Sequence, residues 1–326
     1  MSMESDVIVD RRRMRRKLTF WRVAAVVIAI AAIAVVGTRL WPGRSGGFTS
    51  SGSIARVTIE GLIRSDRDRV EALERLEKSQ AAAVIVHINS PGGTTAGSEQ
   101  LYDSLVRLKA KKPLVVVVEG LAASGGYITA IAADHIVAQQ TSLVGSIGVL
   151  FQFPNFSEVL KTIGVKVEEV KSSPLKAAPN GFEPTSPEAR EALDALVKDS
   201  YTWFKNLVKE RRGMDDAQLE KVTDGRVFTG HQAVGLKLID ELGDEKAAVT
   251  WLVDQKGVKK DLPVRDYKLG PRFGDLTFLR TAASLTLDAL GLSAIARQIE
   301  HAGVAQAVDR LSLDGMLALW QPGATN

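Results

Sequence analysis

From residue 54 onward, apolar and β-branched runs alternate with stretches whose apolar residues recur every three or four positions. Two runs, 84–88 (Val-Ile-Val-His-Ile) and 114–118 (Leu-Val-Val-Val-Val), are nearly continuous. That is the pattern of strands buried on both faces of a parallel sheet. Residues 54–60 read as a further strand, and 135–138, 146–150 and 165–170 as others. Residues 66–80 carry Val70, Leu73 and Leu76 at three-residue spacing among charges, which predicts a helix. A crossover helix is expected over 97–108, and a short helix near 154–163. A long helix should open at Ser186, a serine cap followed by Pro187 in the first turn, and run to about Arg212. This alternation predicts an α/β fold with a largely parallel sheet. With no internal repeat of roughly 20–50 residues, the core is present once.

The two ends follow other patterns. Residues 23–37 contain no polar side chain, and with Phe20, Trp21, Leu40 and Trp41 the apolar stretch reaches about 20 residues, enough to cross a bilayer as a helix. The domain reading is a basic tail over 1–22, a transmembrane anchor over 23–41, a Gly/Ser-rich linker over 42–53, a folded body over 54–256 and a C-terminal extension over 257–326. Phe273 to Trp320 has apolar residues at helical spacing, including Met316, Leu317, Leu319 and Trp320, and is expected to form helices packing on the core or on another subunit.

Charge sharpens this picture. The net charge is +4, and residues 1–22 hold seven basic and three acidic side chains, so the excess lies entirely in the tail. The body is neutral and offers no nucleic-acid-binding face. An arginine cluster before an apolar span stays cytoplasmic, which predicts a single-pass protein of the bacterial inner membrane with its body in the periplasm. The alternative at this end is a cleaved signal peptide, disfavoured by the length of the run and the lack of a small-x-small site after it. The chain has no cysteine, which excludes disulfides, thiolate metal sites and a cysteine nucleophile.

Two glycine-rich turns follow the two continuous runs: Asn89-Ser90-Pro91-Gly92-Gly93 and Ala123-Ser124-Gly125-Gly126-Tyr127. In a parallel sheet the carboxyl ends of neighbouring strands share one edge, where sites are built. Ser124 could attack a carbonyl carbon there while the Gly93 and Gly125 amides meet the developing oxyanion. Neither turn has the spacing of a phosphate-binding loop. A serine nucleophile needs a base. His87 lies inside a strand, His135 begins another, His231 falls at a helix start and His301 lies in the tail, and no metal-ligand spacing joins them. A lysine desolvated in a pocket can serve instead. Lys171 and Lys176 both lie in a stretch of small and apolar residues without an acid, and the residues alone do not choose between them.

These residues resemble the membrane-anchored signal peptide peptidase family of serine proteases, the SppA type, in its short single-core form. The resemblance runs over about 54–250 and covers the Ser90–Gly93 and Ala123–Tyr127 turns, Gly145-Ser146-Ile147-Gly148-Val149, Lys171 to Lys176, and Asp224 to Gly230 with Gly235, Asp240 and Gly243. It implies a ClpP/crotonase-like spiral of ββα units, with Ser124 as nucleophile and Lys176 as general base. It further implies Ser146 as the residue orienting that lysine, and Gly93 with Gly125 as oxyanion donors. No metal or cofactor is implied. Short members form dome-like rings in which the serine of one protomer meets the lysine of its neighbour, so a homo-oligomer is expected. The middle of the lysine segment, Ser173-Pro174-Leu175, departs from the family's usual pattern. The implied function is degradation of cleaved signal peptides and similar short apolar peptides at the membrane. The alternatives are a crotonase-like acyl-CoA hydratase or isomerase, a protease of a membrane partner protein, and a non-catalytic scaffold.

Overall fold

The computed structural model describes residues 52–269 and 316–319. The chain divides into units 1–49 and 50–326, and the described residues belong to the second. The anchor expected over 23–41 lies outside them. Among the described residues no helix is long and apolar enough to cross a membrane.

The centre of the fold is a parallel sheet. Strands β1 (Ile54–Ile63), β2 (Ala83–Thr94), β3 (Leu114–Ala123) and β4 (His135–Ala138) lie side by side in chain order. Ile85, Val86, Val115, Val116 and Val118 are fully buried, which is why their runs carry no alternation. Helices α1 (Arg67–Glu77), α2 (Thr95–Lys109) and α3 (Gly125–Ala130) fill the connections, and the starts of α1 and α2 are capped by the preceding Asp66 and Thr94. Short strands extend the sheet: β5 (Leu143–Gly145) beside β3 and β6 (Leu150–Phe151) farther out. After helix α4 (Ser157–Thr162), helix α5 (Pro187–Arg212) begins and ends as its sequence dictates, with the Ser186 cap, Pro187 in the first turn and Gly213 in a left-handed stop. Then follow α6 (Asp216–Glu220), β7 (Val227–Thr229), α7 (Gly230–Gly235), β8 (Glu241–Leu242) and α8 (Glu245–Lys256). Ala248 and Leu252 of α8 pack with Ile54, Ile85, Val115 and Val137 into one apolar cluster. Strand β9 (Val264–Asp266) pairs with β1, and β10 (Met316–Leu319) with β2 and β6, so the sheet reaches past residue 256.

Three expectations are corrected. Residues 146–150 do not form one strand: Gly145 and Ser146 have positive φ (100° and 52°), which breaks β5 from β6. Residues 165–170 were expected to form a strand, yet no strand among the described residues pairs with them, and Val165, Val167 and Val170 lie exposed. Met316–Leu319 was expected to be helical and is extended, with Leu317 and Leu319 buried at a spacing of two. The rest of the expected helical tail, 273–315 and Trp320, lies outside the described residues.

Candidate active site

Ser124 follows the last residue of β3 and precedes the first of α3, with φ 53° and ψ −115°. A non-glycine residue adopts that backbone only when its surroundings enforce it, and such strain gathers at functional turns. Here the enforcement is visible. The Ser124 N–H donates to Gly145 O at 2.8 Å, and its carbonyl accepts from the Tyr127 and Ile128 amides, each at 2.9 Å. Among the described residues its hydroxyl makes one long hydrogen bond, donating to Gly148 O at 3.4 Å. The backbone is fixed while the oxygen stays almost uncommitted, which suits a nucleophile.

The two glycine turns meet. β2 and β3 pair up to Ser90↔Ala122, which sets Ser90 beside the residues leading to Ser124. A Cβ on Gly126 would lie 2.6 Å from Ser90 O, so only glycine allows this approach. Ser90 is fully buried, donates to Gly61 O at 2.6 Å and accepts from the Gly92 N–H at 3.1 Å, which folds the first turn. Gly125 opens α3, so its N–H has no partner within the helix. Gly126→Ala is expected to destabilise the protein by about 2–3 kcal/mol through this overlap. Thermal unfolding should register it, together with slower acylation of Ser124 by a serine-directed probe.

Sequence reasoning missed several braces. Tyr127, fully buried, donates its hydroxyl to Leu238 O at 2.8 Å, and burial pushes its pKa up. Arg211 donates to Ile131 O at 2.8 Å and Ala133 O at 2.9 Å, holding the carbonyls that follow α3. Neither residue carries a local signal, because its partner lies about 80 residues or more away in sequence.

Ser146 follows Gly145, whose carbonyl holds the Ser124 amide, and its own N–H donates to Arg226 O at 2.8 Å. Its side chain is nearly buried, and among the described residues its hydroxyl has no hydrogen-bond partner. The two lysines have different surroundings. Lys171 is held between Glu169 and Glu183, each at 2.7 Å, and hydrogen bonding to these carboxylates raises its pKa. A lysine so held keeps its proton and makes a poor base. Lys176 is exposed, and no ion pair engages it among the described residues. Within the chain no hydrogen bond joins Lys176 to Ser124, whose hydroxyl partner is Gly148. A cavity of about 410 Å³, lined by Val167, Lys171, Pro179 and Phe182 among others, includes neither Lys176 nor Ser124.

The histidines are engaged elsewhere. His87 sits between Glu119 (2.8 Å) and Glu245 (2.7 Å), and Glu245 also binds Arg56 at 2.6 Å, which keeps its pKa low. His135 stacks on Trp251 and contacts Glu241 at 3.1 Å. His231 is exposed at the start of α7, and His301 lies outside the described residues. Among the described residues no group of three or more His, Cys, Asp or Glu could hold a metal ion.

The model of peptidase family S49 matches residues 106–259, and the Clp protease model matches 64–142. A Synechocystis protein named as a protease is 34% identical over 68% of this chain and 80% of its own length. The chain belongs to peptidase family S49. It is a serine-type peptidase by that membership, and this S49 peptidase has a ClpP-like α/β fold. A protein of Enterococcus faecium named as a signal peptide peptidase of the SppA type is 31% identical over 67% of this chain and 68% of its own. Protease 4 of Haemophilus influenzae is 30% identical, and the chain spans 39% of its length. Among solved structures, ClpP1 of Listeria monocytogenes is 18% identical with a TM-score of 0.38, covering 63% of this chain and 94% of that one. Membership of S49 decides against the acyl-CoA hydratase alternative.

Proposed function

We propose that the protein is a membrane-anchored serine endopeptidase with a Ser124–Lys176 dyad, acting on signal peptide remnants and similar short apolar peptides. The observation that carries this reading is the enforced backbone of Ser124, φ 53° and ψ −115°, with a nearly uncommitted hydroxyl. Lys176 Nζ takes the proton from Ser124 Oγ as the oxygen attacks the substrate carbonyl carbon. The Gly93 and Gly125 amides stabilise the oxyanion of the tetrahedral intermediate. On collapse the C–N bond breaks, and the lysine returns the proton to the leaving amine. A water then loses a proton to the same lysine and hydrolyses the ester, which restores Ser124 Oγ–H. Ser146, with its hydroxyl uncommitted, orients the lysine amine.

The family resemblance supports a lysine supplied by a neighbouring protomer in a closed ring, a reading compatible with the lack of a Lys176–Ser124 hydrogen bond among the described residues. Exposed Phe156, Val159, Ile163, Val165, Val167 and Phe182 give the segment around Lys176 an apolar surface suited to such a contact. The span over residues 23–41 anchors the protein in the inner membrane, with the peptidase domain in the periplasm.

The test is labelling of Ser124 by a fluorophosphonate. Lys176→Ala should slow it by roughly 100-fold or more, the scale of a lost general base, whereas Lys171→Ala should leave it within about threefold. Equal slowing in both variants would remove Lys176 from its role.

A further inference from the structure

Strand β3 changes neighbour on its way to Ser124. Val115–Val118 pair with β4, whereas Leu121–Ala123 pair with β5, and the Ser124 N–H continues that second pairing to Gly145 O. The register of β3 against β2 slips at the same place, from Ile88↔Val118 to Ser90↔Ala122. Glu119, Gly120 and Leu121 therefore stand opposite Asn89 alone, as a bulge. A bulge of this kind re-aims the strand beyond it. What fixes the bulge fixes the direction in which Ser124 is presented. Its backbone is held by the Ser142 hydroxyl, 2.9 Å from both Val118 O and Glu119 O. Its side-chain hold is His87.

His87 is nearly buried on β2, with Nδ1 2.8 Å from Glu119 Oε1 and Nε2 2.7 Å from Glu245 Oε2. A neutral imidazole carries one N–H and donates to one carboxylate only. Glu245 takes that donor. Arg56 grips both of its oxygens at 2.6 Å, which holds its pKa below the usual carboxylate range, and an ionised carboxylate accepts without donating. The contact at Nδ1 then needs one more proton, on the ring or on Glu119, shared across 2.8 Å. The other surrounding groups do not replace it. Thr58 and Val117, the register partners of His87, are neutral, and Glu60 lies farther along β1, level with Asn89. Asp266 of β9 binds Arg56 Nη1, and Asp244 caps α8 through the Lys246 and Ala247 amides. When the shared proton leaves to solvent, a bare lone pair faces a carboxylate and the contact turns repulsive. Glu119, with its side chain 55% exposed and no second side-chain partner among the described residues, swings out, while Glu245 stays on Arg56.

We propose that His87 is a positioning residue of this peptidase: a proton shared with Glu119 holds the bulge that aims Ser124, and the hold is lost as pH rises. This rests on the reading of Ser124 as the nucleophile. Histidine is the side chain that changes charge between about pH 5 and 8, so the window is a physiological one. The sign is opposite to that of the lysine base, which gains activity as it loses its proton. Because Ser142 still holds the backbone, the bulge loosens without unfolding, and the loss of rate is partial.

The experiment follows fluorophosphonate labelling of Ser124 in the full chain between about pH 5 and 9, comparing the parent with Glu119→Gln. A glutamine amide accepts from an Nδ1–H or donates to a bare Nδ1, so its contact outlasts the proton. Lys176 is the same in both, and the ratio of rates removes its titration. Expected is a parent-to-variant ratio that falls about fivefold or more from the acid to the alkaline end, the scale of a small misplacement of the nucleophile. His87→Ala lacks the hold at every pH, and its ratio to Glu119→Gln should be low and flat. A parent ratio that does not change with pH overturns the proposal, as does a His87→Ala ratio that falls with pH as the parent's does. Hydrogen exchange at residues 120–123 reads the hold without the chemistry. Raising the pH should speed exchange there in the parent relative to Glu119→Gln at the same pH. If it does so while no form is labelled, the nucleophile reading fails and the hold on the bulge stands. Exchange that keeps a constant ratio between the two proteins overturns the hold itself.

Discussion

Ser124→Ala should lower peptide hydrolysis by roughly 10⁴-fold or more, the scale seen when a serine nucleophile is removed while oxyanion donors and binding remain. The fold should scarcely register the change. Among the described residues the hydroxyl makes a single hydrogen bond, at 3.4 Å to Gly148 O, so its loss costs less than about 1 kcal/mol. Alanine keeps the Cβ and hence the same strained backbone, still fixed by the Gly145 carbonyl and by the Tyr127 and Ile128 amides. Thermal unfolding should therefore shift by no more than about 2–4 °C. Hydrolysis that persists at the parental rate in a folded Ser124→Ala protein would remove Ser124 from the chemistry. A large fall in Tm would instead mean that the serine holds the turn together.

The second large effect is a recovery. Ser124→Ala and Lys176→Ala proteins should each be inactive, and a mixture of the two, dissociated and reassembled, should regain about one quarter of parental activity. In the proposed closed ring with head-to-tail contacts, each site would draw its serine from one protomer and its lysine from the next. With random incorporation, half of the serines and half of the neighbouring lysines are intact, which gives the one-quarter figure. Absence of recovery, with reassembly verified by sedimentation, would place both residues in one chain and require the segment around Lys176 to fold back onto Ser124. The exposure of Lys176 motivates the test, as does the pairing of Lys171 with Glu169 and Glu183, a hold that Lys176 does not share among the described residues.

Much of this was legible in the chain. Residues 84–88 and 114–118 announced themselves because strands covered on both faces need apolar side chains at every position. The start and end of α5 were legible because Ser186, Pro187 and Gly213 act within a few residues of their own position. What stayed hidden depends on partners distant in sequence. β2 continues through Ser90-Pro91-Gly92-Gly93 to Thr94, a composition that reads as a turn, because β1 stays paired alongside it. Leu317 and Leu319 fit both a helical and an extended period over so short a stretch, and only the edges offered by Gly92–Thr94 and Leu150–Phe151 decide between them. Val165, Val167 and Val170 gave residues 165–170 a β-branched content that reads as a strand, without a strand among the described residues to pair with. The separation of Lys171 from Lys176 turned on Glu169 and on Glu183, the latter twelve residues beyond Lys171.

The braces around Ser124 also set a schedule. Its amide needs Gly145, the following Ser146 loop is fastened to Arg226, the end of the adjoining helix is held by Arg211, and Tyr127 is tied to Leu238. A ribosome therefore releases the serine more than a hundred residues before the last of its supports. During that interval the hydroxyl is an ordinary one, no more reactive than any serine in an unfolded polypeptide. On the proposed reading of Ser124 as the nucleophile, reactivity switches on late in synthesis, and a truncated product that ends before residue 226 carries the residue without the hazard.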